Sequence, residues 1–315
     1  MASNREHGGP VRLGIVDCDT GHVVEFTRRL NHVDVPEEQW VEGARVVAAV
    51  PGTSLVSPEL VDGYAARLRG YGVELLDDPA ELLGRVDAVL IESVDGSVHL
   101  ERALPFVEAG LPLYVDKPFT TSVAAARTLL AAAQARRVPL VSASSLRYSL
   151  ELQDVLRRRD ELGPVLGADV YSPAGLHPRN PGLFHYGVHA VEPLYELMGT
   201  GCQSVRCVRE AGVEVVVGRW AGGRLGTVRG TRSGTHAYGF TAFCERRVVA
   251  AAVDTRYIYR ELLKVIVATF VSGTWPLSPE ALLEPVAFQE AALRSAERGG
   301  DEVPLDGAPA RASQP

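Results

Sequence analysis

The chain has 315 residues, of which 46% are hydrophobic and 23% charged, and its formal net charge is −7. This composition excludes disorder and collagen-like character, and Lys and Arg scattered among acids argue against a nucleic-acid partner, whose phosphates are held by clustered basic residues. No window approaches the roughly 18 apolar residues of a membrane-spanning helix, and residues 1–10 are polar with no signal-type apolar core, so a cytoplasmic protein without a membrane partner is expected.

In chain order, apolar runs and amphipathic segments alternate through the first half. The patterning predicts a strand over 11–16, a helix over 21–30, a strand over 44–50, a helix over 58–71 and a short apolar stretch over 73–76. A helix over 79–83, a strand over 87–91, a helix over 99–109, a strand over 113–115, a helix over 122–137 and a strand over 139–143 follow. Strands alternating with helices imply right-handed βαβ units and a doubly wound parallel sheet, so residues 11–145 read as a Rossmann-like dinucleotide-binding α/β domain. From 146 the pattern changes to helices over 149–161 and 187–198, strands over 165–171, 204–208, 213–220, 225–230, 237–244 and 247–253, and closing helices over 259–272 and 279–298. These segments predict an α+β domain over 146–300 with one mostly antiparallel, open sheet. The Gly-, Pro- and polar-rich ends, 1–10 and 301–315, are expected to be loose. Cys18, Cys202, Cys207 and Cys244 form no CxxC pair and read as buried free thiols.

The most chemically informative stretch is the apolar run Leu111-Pro-Leu-Tyr-Val115, which ends abruptly in Asp116-Lys117-Pro118-Phe119. A lysine at the proline-stiffened end of a buried parallel strand lies where open α/β sheets bind ligands. Downstream, His185, Tyr186, His189 and Glu192 would lie close to one face of a helix, since residues three and four apart are neighbours. A lysine in a low-dielectric cleft and histidines at neutral pH can exchange protons with a substrate. His185, His189 and Glu192 are also a conceivable facial metal set, but without a further ligand no metal is assigned to them.

Several stretches together resemble the Gfo/Idh/MocA oxidoreductases. They are Val11-Arg-Leu-Gly-Ile-Val16, Asp87-Ala-Val-Leu-Ile-Glu-Ser93 with His99 downstream, Ala109-Gly-Leu-Pro-Leu-Tyr-Val-Asp-Lys-Pro118, Gly187-Val-His189 ahead of Met198-Gly199, and the late helix from Glu290 to Arg298. The resemblance implies a nicotinamide cofactor, NAD or NADP, lying across the first domain, and a small sugar-, cyclitol- or natural-product-like substrate between it and the second sheet. It also implies a homo-oligomer, dimer or tetramer, formed through the C-terminal sheet. Lys117 matches the lysine of the family's Glu-Lys-Pro motif, with Asp116 in place of the glutamate. His189 matches the histidine that helps to position and deprotonate a substrate hydroxyl. Glu192 falls where the family often has aspartate, and His185 replaces the aspartate one turn before the histidine.

The phosphate-binding turn departs most. A dinucleotide site requires Gly-x-Gly-x-x-Gly after the first strand, so that the backbone can turn tightly and approach the pyrophosphate. This chain reads Asp17-Cys-Asp19-Thr-Gly21-His22. A carboxylate within about 4 Å of a pyrophosphate costs on the order of 1 to 4 kcal/mol, depending on solvent access. The cofactor-facing set implied by the resemblance is Gly14, Asp17, Asp19, Thr20, Gly21, His22, Thr53, Ser93, His99, Asp116 and Lys117. Where an acid would receive the adenosine ribose, the chain has Val50-Pro51-Gly52-Thr53-Ser54, which marks either a 2′-phosphate preference or loss of the cofactor. Because the first and fourth strands of such a sheet are neighbours, Asp17, Asp19, Glu92 and Asp95, with His22 and His99 nearby, are expected to converge on the crevice. There they would either hold a divalent cation or serve as helix caps and solvated acids. Two other function classes therefore stay open: a lyase, isomerase or cyclase using Lys117 and His189 for proton transfer, and a catalytically silent sensor.

Overall fold

A computed structural model of the chain describes residues 9–306, so the expectations for residues 1–8 and 307–315 lie outside the described residues. The first sheet contains β1 (Val11–Val16), β2 (Ala44–Val50), β3 (Glu74–Leu75), β4 (Ala88–Ile91), β5 (Leu113–Val115) and β6 (Leu140–Val141). All its pairs are parallel and the order is β3-β2-β1-β4-β5-β6, which makes β1 and β4 neighbours as expected. The central strands are continuous apolar runs because both sheet faces are covered.

One face is covered by α3 (His99–Glu108) and α4 (Val123–Arg136), after α1 (His22–Leu30) and α2 (Pro58–Gly70) have packed on the opposite side. Ser122 starts α4 by accepting a hydrogen bond from the Ala125 amide.

The second sheet contains β7 (Val165–Pro173), β8 (Cys202–Glu210), β9 (Val213–Trp220), β10 (Leu225–Thr231), β11 (Gly239–Cys244), β12 (Val248–Ala252) and β13 (Val303–Pro304), in the order β12-β11-β7-β10-β9-β8-β13. β7 and β10 run parallel and every other pair is antiparallel. The segment expected to be one helix over 149–161 is broken at Arg158 (φ −93°, ψ 20°) into α5 (Leu150–Arg157) and α6 (Arg159–Leu162), which turns Leu162 into the core. α7 (Val188–Met198) and α9 (Pro279–Glu297) cover one face of this sheet, with Trp220, Tyr195 and Phe288 at their centre.

Two features differ from the expected division of the chain. α8 (Ile258–Ser272) returns to the first sheet, where Leu262, Leu263, Ile266 and Phe270 join Leu13, Ile15, Phe26 and Tyr114 in one core. Its apolar face is complementary to the uncovered face of β1 and β6, so a helix from the second half completes the first domain. The expected tail also begins too early at 301, because Val303 and Leu305 are buried and β13 extends the second sheet beside β8. No helix among the described residues is long and apolar enough to cross a membrane. All four cysteines are free and buried.

Candidate active site

β5 delivers Asp116 and Lys117 to the C-terminal edge of the first sheet. Lys117 is 7% exposed, and its Nζ lies 3.6 Å from Asp116 Oδ2. The other oxygen of Asp116 accepts a hydrogen bond from the Tyr114 hydroxyl (2.9 Å) and lies 3.0 Å from His22 Nδ1. From the second domain α7 brings in His189, whose Nδ1 is 2.7 Å from Ser144 Oγ just beyond β6. Burial, reinforced by the charge of Lys117, holds the His189 imidazole well below its usual range. Burial, then Lys117, then His177, brings His185 from 6.5 down to about 4. Lys117, His185 and His189 therefore share one electrostatic neighbourhood, and the Tyr186 and Tyr238 rings stand 5.5 and 6.1 Å from that of His189.

The expected helical face of His185, Tyr186, His189 and Glu192 does not form. α7 begins at Val188; ahead of it Gly187 packs so tightly on Leu183 that a Cβ would lie 2.3 Å from Leu183 Cδ2. His185 and Tyr186 thus precede the helix and reach the site from a turn. Glu192 faces a different partner: its Oε2 accepts from Arg147 Nε at 2.7 Å, while Glu196 accepts from Arg147 Nη1 at 2.6 Å. This buried ion triad holds α7 against the turn that follows β6, so Glu192 positions the helix. His185, His189 and Glu192 are also not among the close metal-ligand groupings of the described residues.

His189→Ala is expected to lower turnover by about 10²-fold or more, and His185→Ala by less than about tenfold, because only His189 is fixed by a hydrogen bond at the Lys117 side of the crevice. Steady-state kinetics of the two variants with a turned-over substrate check this, and a larger loss for His185→Ala would refute it. The two depressed imidazoles also set an acid limit. Below pH 6.5 the unfolded chain takes up a proton that folded His185 refuses until about pH 4, so stability falls as pH drops through that window. Thermal melts between pH 7 and 4 should show a shallower decline for His185→Gln than for the wild type.

The turn after β1 is built around its two acids. Asp17 occupies the left-handed region (φ 64°) that the family's first glycine would take; its carboxylate accepts from Ser93 Oγ (2.5 Å) and from Arg102 Nε (3.2 Å). A Cβ on Gly52 (φ 66°) would overlap this carboxylate, so only glycine fits there. Asp19 accepts from Ser54 Oγ at 2.6 Å and from the Val94 amide at 2.9 Å, bridging the loops after β2 and β4 across the crevice. Neither acid caps α1, whose N-cap Gly21 has no side-chain cap. The Asp17 and Cys18 amides are spent on Val50 and Pro51 carbonyls. A dinucleotide diphosphate does not fit this turn as it stands: the path between the β2 and β4 loops is spanned by the Asp19 carboxylate, and the Asp17 and Cys18 amides are already paired. The Asp17→Gly, Asp19→Gly double variant should bind NAD(H) or NADP(H) about tenfold tighter, a gain of about 1.4 kcal/mol from charge relief and restored backbone approach. Calorimetric titration of both proteins checks this; unchanged or weaker binding by the variant would refute it.

Other implied cofactor residues have structural partners. Gly14 lies inside β1, where a Cβ would meet Leu82 Cδ2 at 2.8 Å, so its role is packing. Both ring nitrogens of His99 meet carbonyl oxygens, of Phe119 (3.1 Å) and Ser93 (2.7 Å). Thr20 Oγ1 lies 3.4 Å from the His22 amide, and Thr53 is exposed beyond β2. Asp95 does not join the acid cluster: it binds Ser97 and Arg179, and neighbouring Asn180 ties the second domain to Val94 and Gly96. Instead Glu92 meets Asp116 and His22, with one possible ligand atom from each lying within 4.8 Å of the others. Nothing in the sequence singled out Ser144 or Asn180. Arg147 had an indirect signal, since two acids four apart on the otherwise apolar α7 imply a buried cation opposite.

A Rossmann-like domain and an open mixed sheet, with buried Lys117 on the one and buried His189 on the helix covering the other, make up the fold and its candidate site. Residues 53–144 match the family model described as "Oxidoreductase family, NAD-binding Rossmann fold". The chain is 31% identical over 213 residues to an inositol 2-dehydrogenase of Saccharopolyspora erythraea, covering 63% of this chain and 57% of that one. The chain spans about half the length of the curated relatives it matches. Its fold is similar to that of a probable dehydrogenase from Thermotoga maritima (TM-score 0.78, 18% identity, 95% of this chain and 100% of that one). It is similar too to scyllo-inositol dehydrogenase from Lactobacillus casei with bound NAD(H) and scyllo-inositol (TM-score 0.76, 13% identity, 94% and 99%).

Proposed function

We propose that this chain is an oxidoreductase acting on a hydroxyl or carbonyl of a small polyhydroxylated substrate of the sugar or cyclitol class. The observation that supports the reading is that Lys117 and His189, each 7% exposed and carried by different domains, lie close enough for the lysine charge to act on the imidazole. Lys117 supplies a cation and donor to the substrate oxygen. His189, kept neutral by burial and oriented by Ser144, is able to take up the hydroxyl proton. The inositol dehydrogenases among its relatives support the substrate class. A nicotinamide cofactor, NAD or NADP, is the family's redox partner; because the turn described above does not fit its diphosphate, no step is assigned to it here. The reading is tested by titrating the protein with NAD(H) and NADP(H) in a calorimeter and assaying cofactor reduction with a panel of inositols and sugars. Absence of both binding and turnover would refute it.

The Asp19 bridge from Ser54 to Val94 favours a second reading, a non-redox lyase, isomerase or cyclase that uses the same Lys117 and His189 for proton transfer. Turnover of a polyol or keto-sugar without nicotinamide would select it. We further propose a cytoplasmic homo-oligomer. The four reduced thiols suit a reducing compartment, and exposed Val217, Leu225 and Phe243 on the second sheet support self-association through that face.

A further inference from the structure

The proton-transfer pair leaves unused the acids buried behind it. Glu92, at the end of β4, is 0% exposed, and neither of its carboxylate oxygens has a hydrogen-bond partner. Asp116 is equally buried, and its Oδ2 also lacks a hydrogen bond. His22, at the start of α1 where the family's third glycine would fall, turns its Nδ1 toward both, 3.9 Å from Glu92 Oε2 and 3.0 Å from Asp116 Oδ1. Two carboxylates face one ammonium, that of Lys117, so one negative charge is uncompensated in a site closed to water. A buried carboxylate without hydrogen bonds that shares its counter-charge with a second carboxylate is costly, and proteins resolve this with a proton or with a metal.

We propose that His22, Glu92 and Asp116 bind a divalent transition-metal cation of the Zn²⁺ or Mn²⁺ kind at the floor of the crevice. Ligand bonds of about 2.0 to 2.2 Å in tetrahedral geometry give ligand–ligand separations of about 3.3 to 3.6 Å, and the two separations from His22 bracket that range. The Tyr114 hydroxyl orients Asp116, and the Phe26 ring, stacked 5.1 Å from the His22 imidazole, holds it toward the acids. One imidazole and two carboxylates are three protein ligands of the hard-to-borderline type, the set found where a coordination position stays open to an exchangeable oxygen. The dication turns the local charge from −1 to +1, which a bound hydroxide or substrate alkoxide beside Lys117 would neutralise. Burial and the neighbouring Asp116 raise the Glu92 carboxyl, and a cation would reverse that balance. The site stands independently of whether the reaction is a redox one.

The test uses the full chain stripped with a chelator, dialysed, and titrated with Co²⁺ in the visible range and with Zn²⁺ and Mn²⁺ in a calorimeter. One equivalent should bind, with a d–d absorption band for Co²⁺ and a rise in melting temperature of roughly 5 °C at a hundredfold excess over Kd. Glu92→Gln, which keeps the shape and removes the buried charge, should fold with unchanged or higher metal-free stability and lose both the band and the metal-dependent rise; His22→Gln should weaken binding in the same sense. A wild-type protein that shows no stoichiometric binding and no shift would overturn the site and mean that Glu92 is held as the protonated acid. Retention of the wild-type Co²⁺ spectrum by Glu92→Gln would overturn it as well.

Discussion

Lys117→Met is expected to lower turnover by about 10² to 10⁴ in a protein that still folds. Methionine keeps the length and apolar stem that pack at the end of β5 and removes only the ammonium. The Lys117 Nζ lies 3.6 Å from Asp116 Oδ2, and Asp116 retains Tyr114 and His22, so the loss of the charge is partly offset at that carboxylate. A substrate oxygen in the crevice would lose its cationic partner. Because the same ammonium helps to depress His189 and His185, its removal should also raise any imidazole-dependent limb of the pH–rate profile. Full activity in the variant would move the chemistry away from this crevice, and a collapse in stability would mean that the lysine is structural.

Arg147→Met is expected to cost about 3 to 5 kcal/mol of stability, because it strands Glu192 and Glu196 against an apolar neighbourhood without their counter-ion. Arg147 is 2% exposed and bonds the two acids at 2.7 and 2.6 Å. At roughly 2 to 4 °C per kcal/mol for a chain of this class, the melting temperature should fall by roughly 10 °C. The triple change Arg147→Met, Glu192→Gln, Glu196→Gln removes the stranded charges and should recover most of the loss. If the single variant melted like the wild type, the triad would be dispensable; if the triple variant were no better than the single, packing of the guanidinium stem would be the stronger contribution. Since α7 carries His189, activity should follow stability in this series, whereas it should not for Lys117→Met.

Much of the framework was readable before any coordinates. β1, β2 and β5 end where their apolar runs meet Asp17, Pro51 and Asp116, because a buried strand must stop where polar or turn-forming residues begin. The neighbouring of β1 and β4 followed from the right-handed winding of a parallel sheet. Lys117 and His189 were singled out because each is a polar residue at the edge of an apolar segment, and in the fold the lysine charge reaches the imidazole. The convergence of acids was legible only in outline: Glu92 was placed in the crevice, but Asp17, Asp19 and Asp95 turned out to be satisfied by Ser93, Ser54, the Val94 amide and Arg179, and Asp116 took their place beside His22.

By itself, then, the sequence determined the two sheets, the parallel winding of the first and the altered turn after β1, since all of these are written in local periodicity and in breaks of apolar runs. Tertiary structure alone decided which partner each polar group found. Arg147 is one of 32 basic residues, and nothing local marks it as the one opposite Glu192. The amphipathic face of α8 announced that the helix would be buried but not that it would close the first sheet, and Val303 gave no local sign of adding a strand to β8. Periodicity records how much of a segment is buried; the identity of what buries it depends on shape and charge complementarity between segments far apart in the chain.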